Sequence, residues 1–354
     1  MTRDIAIAGR PIGPDHRPYI VAELSANHLG GIERAFAIMA AAKAAGADAV
    51  KLQTYTADTI TIDHDGPGFL IEGGLWDGRR LYELYQEAHT PWEWHPALFA
   101  KGRELGLAVF SSPFDATAVD LLEGLDAPAY KIASFEAVDL PLIGRAAATG
   151  KPLLISTGMA TREEIAEALA AARRTGASDI VLLHCVSSYP ARDEDSNLRT
   201  IPDMAAAFDV LVGLSDHTMG IGVAVAATAL GACLIEKHVT LRRADGGPDS
   251  AFSLEPNEVA RLVEDTSTAH RALGRVNYAP EASEQAMRNL RRSLYVVADM
   301  AVGEIFTPQN LRSIRPGLGL APRHLSEVLG QRARVAIARG TPLSWPLVEC
   351  CNEA

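Results

Sequence analysis

The sequence has few cysteines and gives them no useful spacing. Its four cysteines are Cys185, Cys233, Cys350 and Cys351, and none belongs to a CxxC pair. We therefore expect neither a disulfide framework nor a zinc knuckle, and a reducing compartment is favoured. The sequence predicts a cytoplasmic protein.

Positive charge is also scarce. Lysine and arginine number 33 against 44 aspartate and glutamate residues, which leaves a formal net charge of -11. No basic face can dominate such a surface, so nucleic acid and anionic lipid are not expected as partners. Any anionic substrate must be held by a few local cations.

Long hydrophobic segments are missing too. Residues 218–235 carry no charge, but they are rich in alanine and glycine, and Gly231 and Ala232 divide them into a predicted helix and a predicted strand. We expect no membrane span there, and residues 1–18 contain no apolar segment of signal-peptide length. With 48% hydrophobic and 22% charged residues, the composition is that of an ordinary globular enzyme.

What the sequence does contain is a repeated alternation of short apolar segments and alanine-rich amphipathic segments. This alternation predicts parallel strands joined by helices, and eight such units close into a (β/α)8 TIM barrel of roughly 250 residues. The predicted strands are YIVAEL (19–24), AVKLQ (49–53), LAVFSS (107–112), AYKIAS (129–134), PLLIST (152–157), DIVLLHC (179–185), VLVGLS (210–215) and CLIEKH (233–238).

The alternation stops near residue 272 and is interrupted once before that. We predict a TIM-barrel domain at residues 1–272, a polar linker at 273–290 and a small β-rich domain at 291–354. The interruption between the second and third strands is too long for a plain connection, which makes it a candidate functional loop.

Polar residues follow every predicted strand. Active sites of TIM barrels lie at the C-terminal ends of the strands, so these residues are the candidates for a site. Any one of them could be a solvent-facing strand end, but eight strands that supply them together indicate a site. They are Glu23, Lys51, Gln53, Ser112, Lys131, Ser134, Glu136, Ser156, Ser187, Tyr189, Ser215, His217, Glu236 and His238.

Two of these candidates are lysines inside otherwise apolar strands. Lys51 and Lys131 could simply extend to the rim of the barrel. However, an inward ammonium group with serine hydroxyls on adjacent strands is what a phosphate or carboxylate requires, since an unpaired buried charge is costly. We therefore expect an anionic ligand.

Two histidines follow successive strands in matching positions. Either His217 or His238 alone could be structural, but a pair on adjacent strand ends can bind one divalent metal and leave positions open for substrate and water. The glycines before Asp249 would let this carboxylate approach a ligand, although a plain turn is equally good. Asn27 and His28 could be capping residues, and their catalytic case is weak.

These motifs together resemble those of the sialic acid synthases, from about residue 18 to about residue 348. The resemblance implies a TIM barrel followed by a small antifreeze-like (SAF) domain, a domain-swapped homodimer, and condensation of phosphoenolpyruvate with an N-acetylated amino sugar at a divalent metal (Mn²⁺, Mg²⁺ or Co²⁺). The matching motifs are VAELSANHLG, VKLQTY, SSPFD, YKIASFE, ISTGMAT, SDHT, EKHVT and the C-terminal RRSLYVV, GEIFTPQNLRSIRPGLG.

Within that family the chain is most similar to the pseudaminic acid synthases, on SANH, LWDGRRLYELYQEAHTPWEWH, RADGGPDSAFS and RPGLGL. Their sugar is 2,4-diacetamido-2,4,6-trideoxy-L-altrose, and the aromatic residues Trp76, Tyr82 and Tyr85 would suit its methyl and second acetamido groups. N-acetylneuraminic and legionaminic acid synthases are the alternatives within the family. A Schiff-base aldolase and a non-catalytic carbohydrate- or ice-binding protein are more distant ones.

The resemblance also implies roles for residues. His217 and His238 bind the metal, Glu136 lies near the reacting carbons, and either Glu23 or Glu136 transfers protons. Arg315 reaches across the dimer to the sugar's acetamido group. The residues for phosphoenolpyruvate are Lys51, Ser112, Lys131, Ser134, Ser156 and Ser215, with Ser187 where the family often has asparagine; those for the sugar are Glu23, Gln53, Tyr189, Glu236 and Asp249.

Overall fold

The computed structural model describes residues 4–349, which divide into two compact units after Gly274. The first unit begins with an antiparallel hairpin that the sequence analysis did not anticipate, β1 (Ile5–Ile7) and β2 (Arg10–Ile12). Cys350, Cys351 and the remaining residues up to 354 of the predicted tail domain lie outside the described residues.

Eight parallel strands close a barrel, so the predicted fold is confirmed. Each of the eight predicted segments forms one strand, and the last strand pairs with the first to complete the cylinder. The strands are β3 (Tyr19–Glu23), β4 (Ala49–Thr54), β5 (Ala108–Pro113), β6 (Tyr130–Ile132), β7 (Leu153–Ser156), β8 (Ile180–Cys185), β9 (Leu211–Asp216) and β10 (Leu234–His238).

Helices connect these strands, and the long interruption between β4 and β5 holds three of them together with a 3-10 turn at Trp92–Trp94. The helices of the first unit are α1 (Ile32–Ala44), α2 (Ala57–Ile60), α3 (Leu81–Ala88), α4 (His95–Leu105), α5 (Ala116–Glu123), α6 (Leu140–Ala147), α7 (Arg162–Arg174), α8 (Thr200–Phe208), α9 (Gly222–Ala229) and α10 (Pro256–Leu273).

Local sequence signals act as expected in two places. Thr161 and Glu164 form the reciprocal hydrogen bonds of a capping box at the start of α7, 3.2 and 2.7 Å long. The uncharged segment at 218–235 contains α9 followed by β10. Across residues 4–349, no helix has both the length and the apolar character needed to cross a membrane.

The barrel interior is apolar at one end and polar at the other. Successive strand residues point to opposite sides, so Tyr19 and Val21 share the inward side of β3 with Glu23. Inward apolar side chains of this kind join Ile7 and Ile12 of the hairpin in one buried cluster. The outward side chains pack beneath the helices in a second, larger cluster. The polar members of the inward rows therefore emerge at the C-terminal ends of the strands.

The second unit is small and rich in short strands. Its core cluster includes Leu294, Val296, Phe306 and Leu343. Its elements are α11 (Gln285–Arg288), β11 (Ser293–Val296), β12 (Leu311–Ile314), α12 (Leu325–Val328), β13 (Arg332–Ala333) and β14 (Val348–Glu349), in which β11 pairs with β12 and β13 pairs with β14, both antiparallel.

Candidate active site

The pairing register brings the polar strand ends to one level of the barrel. Glu23 lies opposite Lys51 on β4 and opposite His238 on β10. Glu236 lies opposite Ser215 on β9. Glu23, Lys51, Ser215, Glu236 and His238 all lie on the inward side of their strands. The strand ends therefore converge on one space at the C-terminal mouth, as expected from the sequence.

Two carboxylates and two ammonium groups meet at the centre of this space. Lys51 Nζ lies 2.5 Å from Glu23 Oε2 and 3.6 Å from Glu236 Oε1, and Lys131 Nζ lies 2.9 Å from Glu236 Oε1. The four residues are 0 to 4% exposed. Pairing offsets the large desolvation cost of each buried charge. The lysines are therefore paired with protein carboxylates, which the sequence alone did not reveal.

The four ionisable side chains differ in the direction in which the site shifts their pKa values. Burial, reinforced by the charge of Glu236, raises the pKa of Glu23 despite Lys51. Although burial opposes it, Lys131 and Lys51 lower the pKa of Glu236. Burial lowers the pKa of Lys131, whereas the two carboxylates raise the pKa of Lys51 against its burial. Glu23 is thus the carboxylate of this group that takes up a proton first.

Serine hydroxyls surround the two lysines. Ser112 Oγ accepts a hydrogen bond of 3.2 Å from Lys51 Nζ, and Ser215 Oγ donates one of 3.3 Å to Glu236 Oε1. Ser156 Oγ is buried and has no hydrogen-bond partner among the residues described. A buried hydroxyl without a partner is costly, so Ser156 is well suited to bind a ligand oxygen.

Gly158 draws two further serines close together. Its backbone N–H donates to Ser134 Oγ at 3.2 Å. A Cβ at this position would lie 2.2 Å from Ser187 Oγ and 2.7 Å from Ser134 Oγ, so only glycine allows the segments after β6, β7 and β8 to approach this closely. Ser134 and Ser187 therefore lie side by side at the mouth.

A hydrogen-bonded chain links the first strands to the segment after β10. Gln53 Nε2 donates to Glu23 Oε1 at 3.1 Å and to Ser25 Oγ at 3.0 Å. Ser25 in turn donates to Asp249, which is buried. Asp249 therefore does approach the site, and Ser25, which the sequence analysis passed over, holds it there.

Asn27, a candidate capping residue by sequence, joins the segment after β3 to the segment after β10. Its side chain is fully buried, and its Nδ2 donates to the Val239 carbonyl at 3.0 Å and to Ser253 Oγ at 2.9 Å. Its Oδ1 accepts from Ser250 Oγ at 3.0 Å. These bonds fix the segment that carries Asp249.

The imidazole rings of His217 and His238 lie side by side, with centroids 5.4 Å apart. His217 Nδ1 lies 3.0 Å from the Val186 carbonyl, which can only accept, so Nδ1 carries a proton and the neutral ring has its lone pair on Nε2. His238 Nδ1 is buried and has no hydrogen-bond partner in the described part of the chain. Burial also lowers the pKa of His238 well below its ordinary value. Both rings thus offer a free nitrogen.

This donor set fits a divalent cation that is partly coordinated by substrate and water. Asp249 Oδ2 lies 3.9 Å from His238 Nδ1. Within residues 4–349 no group of three or more His, Cys, Asp or Glu side chains is arranged to hold a metal ion. His217 and His238 are the residues that would hold such an ion, and an open coordination shell is the arrangement expected where a metal contacts substrate.

Cys185 is a site residue that the sequence analysis missed. Its Sγ lies 3.8 Å from His217 Nδ1. Burial opposes ionisation, but the hydrogen bond and charge of His217 lower the pKa of the thiol to about 7. Conversely, Cys185 raises the pKa of His217 against the effect of burial. Strand alternation could have found it, because Val181, Leu183 and Cys185 share the inward side of β8.

The carboxylate beside His217 does not face the site. Asp216 points outward from β9, where its Oδ2 lies 2.7 Å from Lys237 Nζ on the neighbouring strand. Both side chains are buried. This pair ties together the ends of the two strands that carry the histidines.

Glu136 and Tyr189 also lie at the mouth. Burial raises the pKa of Glu136 to about 7, with Asp139 reinforcing the shift and Lys131 and Lys51 opposing it. Its Oε2 is buried and has no hydrogen-bond partner among the described residues. The Tyr189 ring lies 4.4 Å from the His217 ring. Arg315 belongs to the second unit and is exposed in the segment after β12.

The aromatic residues of the long interruption separate into two groups. Trp76 reaches the mouth, with its ring 5.4 Å from Tyr189. Tyr82 instead donates to Asp58 at 2.9 Å, and Tyr85 packs on Tyr55. Burial and the charge of Glu136 raise the pKa of Tyr85, so Trp76 and Tyr85 both lie near site residues, whereas Tyr82 bonds to Asp58.

Comparisons with known proteins agree with this geometry. The NeuB family model matches residues 38–278, and the SAF domain model matches residues 291–349. A pseudaminic acid synthase of Helicobacter pylori is 47% identical over 94% of this chain and 98% of its own length. An N,N'-diacetyllegionaminic acid synthase of Legionella pneumophila is 35% identical over 96% and 97%.

Solved structures give the same result. The crystal structure of an N-acetylneuraminic acid synthetase from Leptospira borgpetersenii in complex with citrate superimposes with a TM-score of 0.72 at 30% identity, covering 81% of this chain and 95% of that one. The family model alone covers more than half of the chain. The resemblance inferred from the motifs is confirmed, and this chain is a member of the NeuB family with a SAF domain in its second unit.

Proposed function

We propose that the protein is a pseudaminic acid synthase that condenses phosphoenolpyruvate with 2,4-diacetamido-2,4,6-trideoxy-L-altrose and releases phosphate. The observation that carries this proposal is the 47% identity over 94% of the chain to a relative of that name, against 35% to the legionaminic acid relative. N-acetylneuraminic and legionaminic acid synthesis are the alternatives. Family membership removes the support for a Schiff-base aldolase and for a non-catalytic binding protein.

Phosphoenolpyruvate would bind between the two lysines and the serines. Lys51 and Lys131 are the buried cations at the mouth, and the unpartnered Ser156 hydroxyl supports a ligand oxygen beside them. Electrostatic groups that are already in place before the reaction supply a large share of catalysis in many enzymes. The proposed set is Lys51, Ser112, Lys131, Ser134, Ser156, Ser187 and Ser215.

The open-chain sugar would lie on the other side of the mouth. Gln53 and Asp249 already belong to one hydrogen-bonded chain through Ser25, so both are held in fixed positions. Groups that are fixed in this way lose little entropy when a substrate binds. The proposed sugar contacts are Glu23, Gln53, Tyr189, Glu236 and Asp249.

His217 and His238 would hold a divalent cation, Mn²⁺, Mg²⁺ or Co²⁺. When bound there, such an ion supplies Lewis-acid polarisation of the sugar's aldehyde oxygen. The support from the chain is the pair of free imidazole nitrogens described above. Imidazole binds several divalent metals, so the ligand set leaves the identity of the metal open.

The reaction follows from these positions. C3 of phosphoenolpyruvate attacks the aldehyde carbon, the new C–C bond forms, and the aldehyde oxygen takes up a proton. Water then adds to C2 and gives its proton to a base. The resulting tetrahedral centre expels phosphate with cleavage of the C–O bond and leaves a ketone, the nonulosonic acid. Lys51 and Lys131 balance the phosphate and carboxylate charges throughout.

Glu136 is the proposed base for the attacking water. Because its pKa is raised to about 7 by burial, it is neutral below that pH and ionised above it. We expect kcat to rise with pH through about 7 in the wild type. In Glu136→Gln we expect kcat to fall by about 10²- to 10⁴-fold and this limb of the pH profile to disappear. Steady-state rates between pH 5.5 and 9 test this. If kcat of the variant still rises with pH through about 7, another residue is the base.

A domain-swapped homodimer is the proposed assembly, with Arg315 of one subunit reaching the partner's sugar. Its support is a set of exposed apolar side chains. Phe135, Met159 and Met219 follow β6, β7 and β9 and are 60, 62 and 52% exposed, and Tyr278 of the second unit is 98% exposed. A partner subunit that covered such side chains would gain free energy by burying them. A cytoplasmic location stays a prediction; Cys185 and Cys233 are buried free thiols.

The function is tested by phosphate release with purified protein, Mn²⁺, phosphoenolpyruvate and three acceptors. These are 2,4-diacetamido-2,4,6-trideoxy-L-altrose, its D-manno stereoisomer and N-acetylmannosamine. We expect the first to have the highest kcat/KM by at least about tenfold, because misplacing one polar group in a fixed site costs 1–3 kcal/mol. Bridging ¹⁸O in phosphoenolpyruvate should appear in the released phosphate. A preference for another acceptor would reassign the sugar.

A further inference from the structure

Three aromatic rings from separate segments lie beside the two imidazoles. Trp76 comes from the long interruption, Tyr189 follows β8 and Phe252 follows β10. Tyr189 is 5.4 Å from each of the other two ring centroids. Phe252 is 4.9 Å from His238, as Tyr189 is 4.4 Å from His217. We call these three rings the aromatic wall.

The wall has little capacity to bind hydroxyl groups. Phe252 has no polar atom, and the indole Nε1 of Trp76 already donates to the Pro248 carbonyl at 3.0 Å. The Tyr189 hydroxyl is the single remaining polar group of the set. A sugar hydroxyl pressed against the Trp76 or Phe252 face would lose water without gaining a partner, and that loss costs free energy. A methyl group in the same place would gain by burial.

The position of Trp76 indicates which end of the sugar it meets. Its ring contacts Tyr189, and within the described residues it has no ring contact with either histidine. The aldehyde end belongs at the imidazole pair in the proposed reaction. Trp76 therefore lies at the outer part of the wall, toward the carbons farthest from the aldehyde.

We infer that Trp76 is a specificity-determining residue that selects an acceptor sugar with a methyl group at its terminal carbon over one with a hydroxymethyl group there. This inference rests on the proposed function and deepens it. Phe252 packs on His238 at the aldehyde end and is outside this assignment, and Trp76 takes no part in the chemistry itself. A hydrophobic pocket rejects an added hydroxyl by no more than about 10²-fold, so the selection should be of that order.

The indole hydrogen bond adds a second, separable contribution. It ties the long interruption to Pro248, directly before Asp249, which is a proposed sugar contact. Trp76→Phe removes this bond but keeps an aromatic face, whereas Trp76→Ala removes both. Comparing the two variants separates the ring from the bond.

The experiment measures kcat/KM for 2,4-diacetamido-2,4,6-trideoxy-L-altrose and for its 6-hydroxy analogue, with phosphoenolpyruvate and Mn²⁺. We expect the wild type to prefer the methyl-bearing sugar by about 10²-fold. Trp76→Ala should lower this ratio by about tenfold, chiefly through a higher KM for the methyl-bearing sugar. Trp76→Phe should keep most of the ratio, and the KM for phosphoenolpyruvate should change little in both variants.

Tyr82→Ala is the matched control, because it removes a ring from the same interruption that bonds to Asp58 away from the wall. It should keep the wild-type ratio. An unchanged ratio in Trp76→Ala, with turnover retained, would overturn the inference and leave the proposed function standing. A wild type that turns over neither sugar would overturn the proposed function itself, and this inference with it.

Discussion

Replacing His217 with alanine is expected to lower kcat by about 10³-fold or more while the barrel stays folded. Lewis-acid polarisation of a carbonyl is worth several kcal/mol of transition-state stabilisation, and 1.4 kcal/mol is a factor of ten in rate. His217 is one of the two imidazoles that lie together at the mouth, so its loss leaves only His238 of the pair. Phosphate release with saturating Mn²⁺ measures the loss.

A direct binding measurement separates metal loss from other damage. Electron paramagnetic resonance of free Mn²⁺ should show weaker binding in His217→Ala than in the wild type, and circular dichroism should show an unchanged fold. His184→Gln is the matched control, because His184 lies on β8 and bonds to the Ser196 carbonyl instead of the site. A His217→Ala protein with wild-type rates in the presence of metal would remove the metal assignment.

Replacing Lys131 with methionine is expected to damage both catalysis and stability. The change leaves Glu236 with a weaker cation, Lys51 at 3.6 Å, in a site that is almost fully buried. Breaking a buried ion pair from one side costs about 3–5 kcal/mol of unfolding free energy. The loss of one of two cations at the substrate should also lower kcat/KM for phosphoenolpyruvate by about 10²- to 10³-fold.

A double variant distinguishes these two effects. Lys131→Met with Glu236→Gln removes both charges, so most of the unfolding free energy should return. Activity should not return, because neither residue is then present. Urea unfolding and steady-state kinetics on the same preparations make the comparison. Recovery of activity in the double variant would reduce Lys131 to a structural role.

Lys237→Met provides a control of the same chemistry outside the site. Lys237 is as deeply buried as Lys131 and pairs with Asp216, but it points outward from the barrel. Its loss should lower the unfolding free energy to a similar extent and leave the KM for phosphoenolpyruvate close to the wild-type value. Equal kinetic damage in both variants would mean that Lys131 acts through the fold alone.

The inward side of the barrel strands could be read from the sequence in detail. Strand alternation puts Lys51, Lys131 and Glu236 on the same side as the apolar residues that precede them by two positions. The mouth of the barrel is then the one place where they can meet. For the same reason Cys185 was within reach of sequence reasoning, although it was not found.

Contacts between distant segments could not be read in this way. Ser25 and Asp249 are 224 positions apart, and Asn27 is 223 positions from Ser250 and 226 from Ser253. Trp76 reaches Pro248 across 172 positions. Loop conformation decides these contacts, and loops have no periodic pattern that would fix it.

By itself, the sequence determined an eight-stranded parallel barrel, a separate β-rich unit and the polar strand ends that make up the site. These follow from periodicity, since side-chain direction in a strand is set by position alone. Only the tertiary structure decided that the lysines are paired with Glu23 and Glu236, that Asp216 turns away from His217, and that Trp76 and Tyr85, but not Tyr82, lie near site residues. Those outcomes depend on which side chains come within hydrogen-bonding distance when the barrel closes and its loops fold. Buried charges pair only with the partners that this folding places beside them.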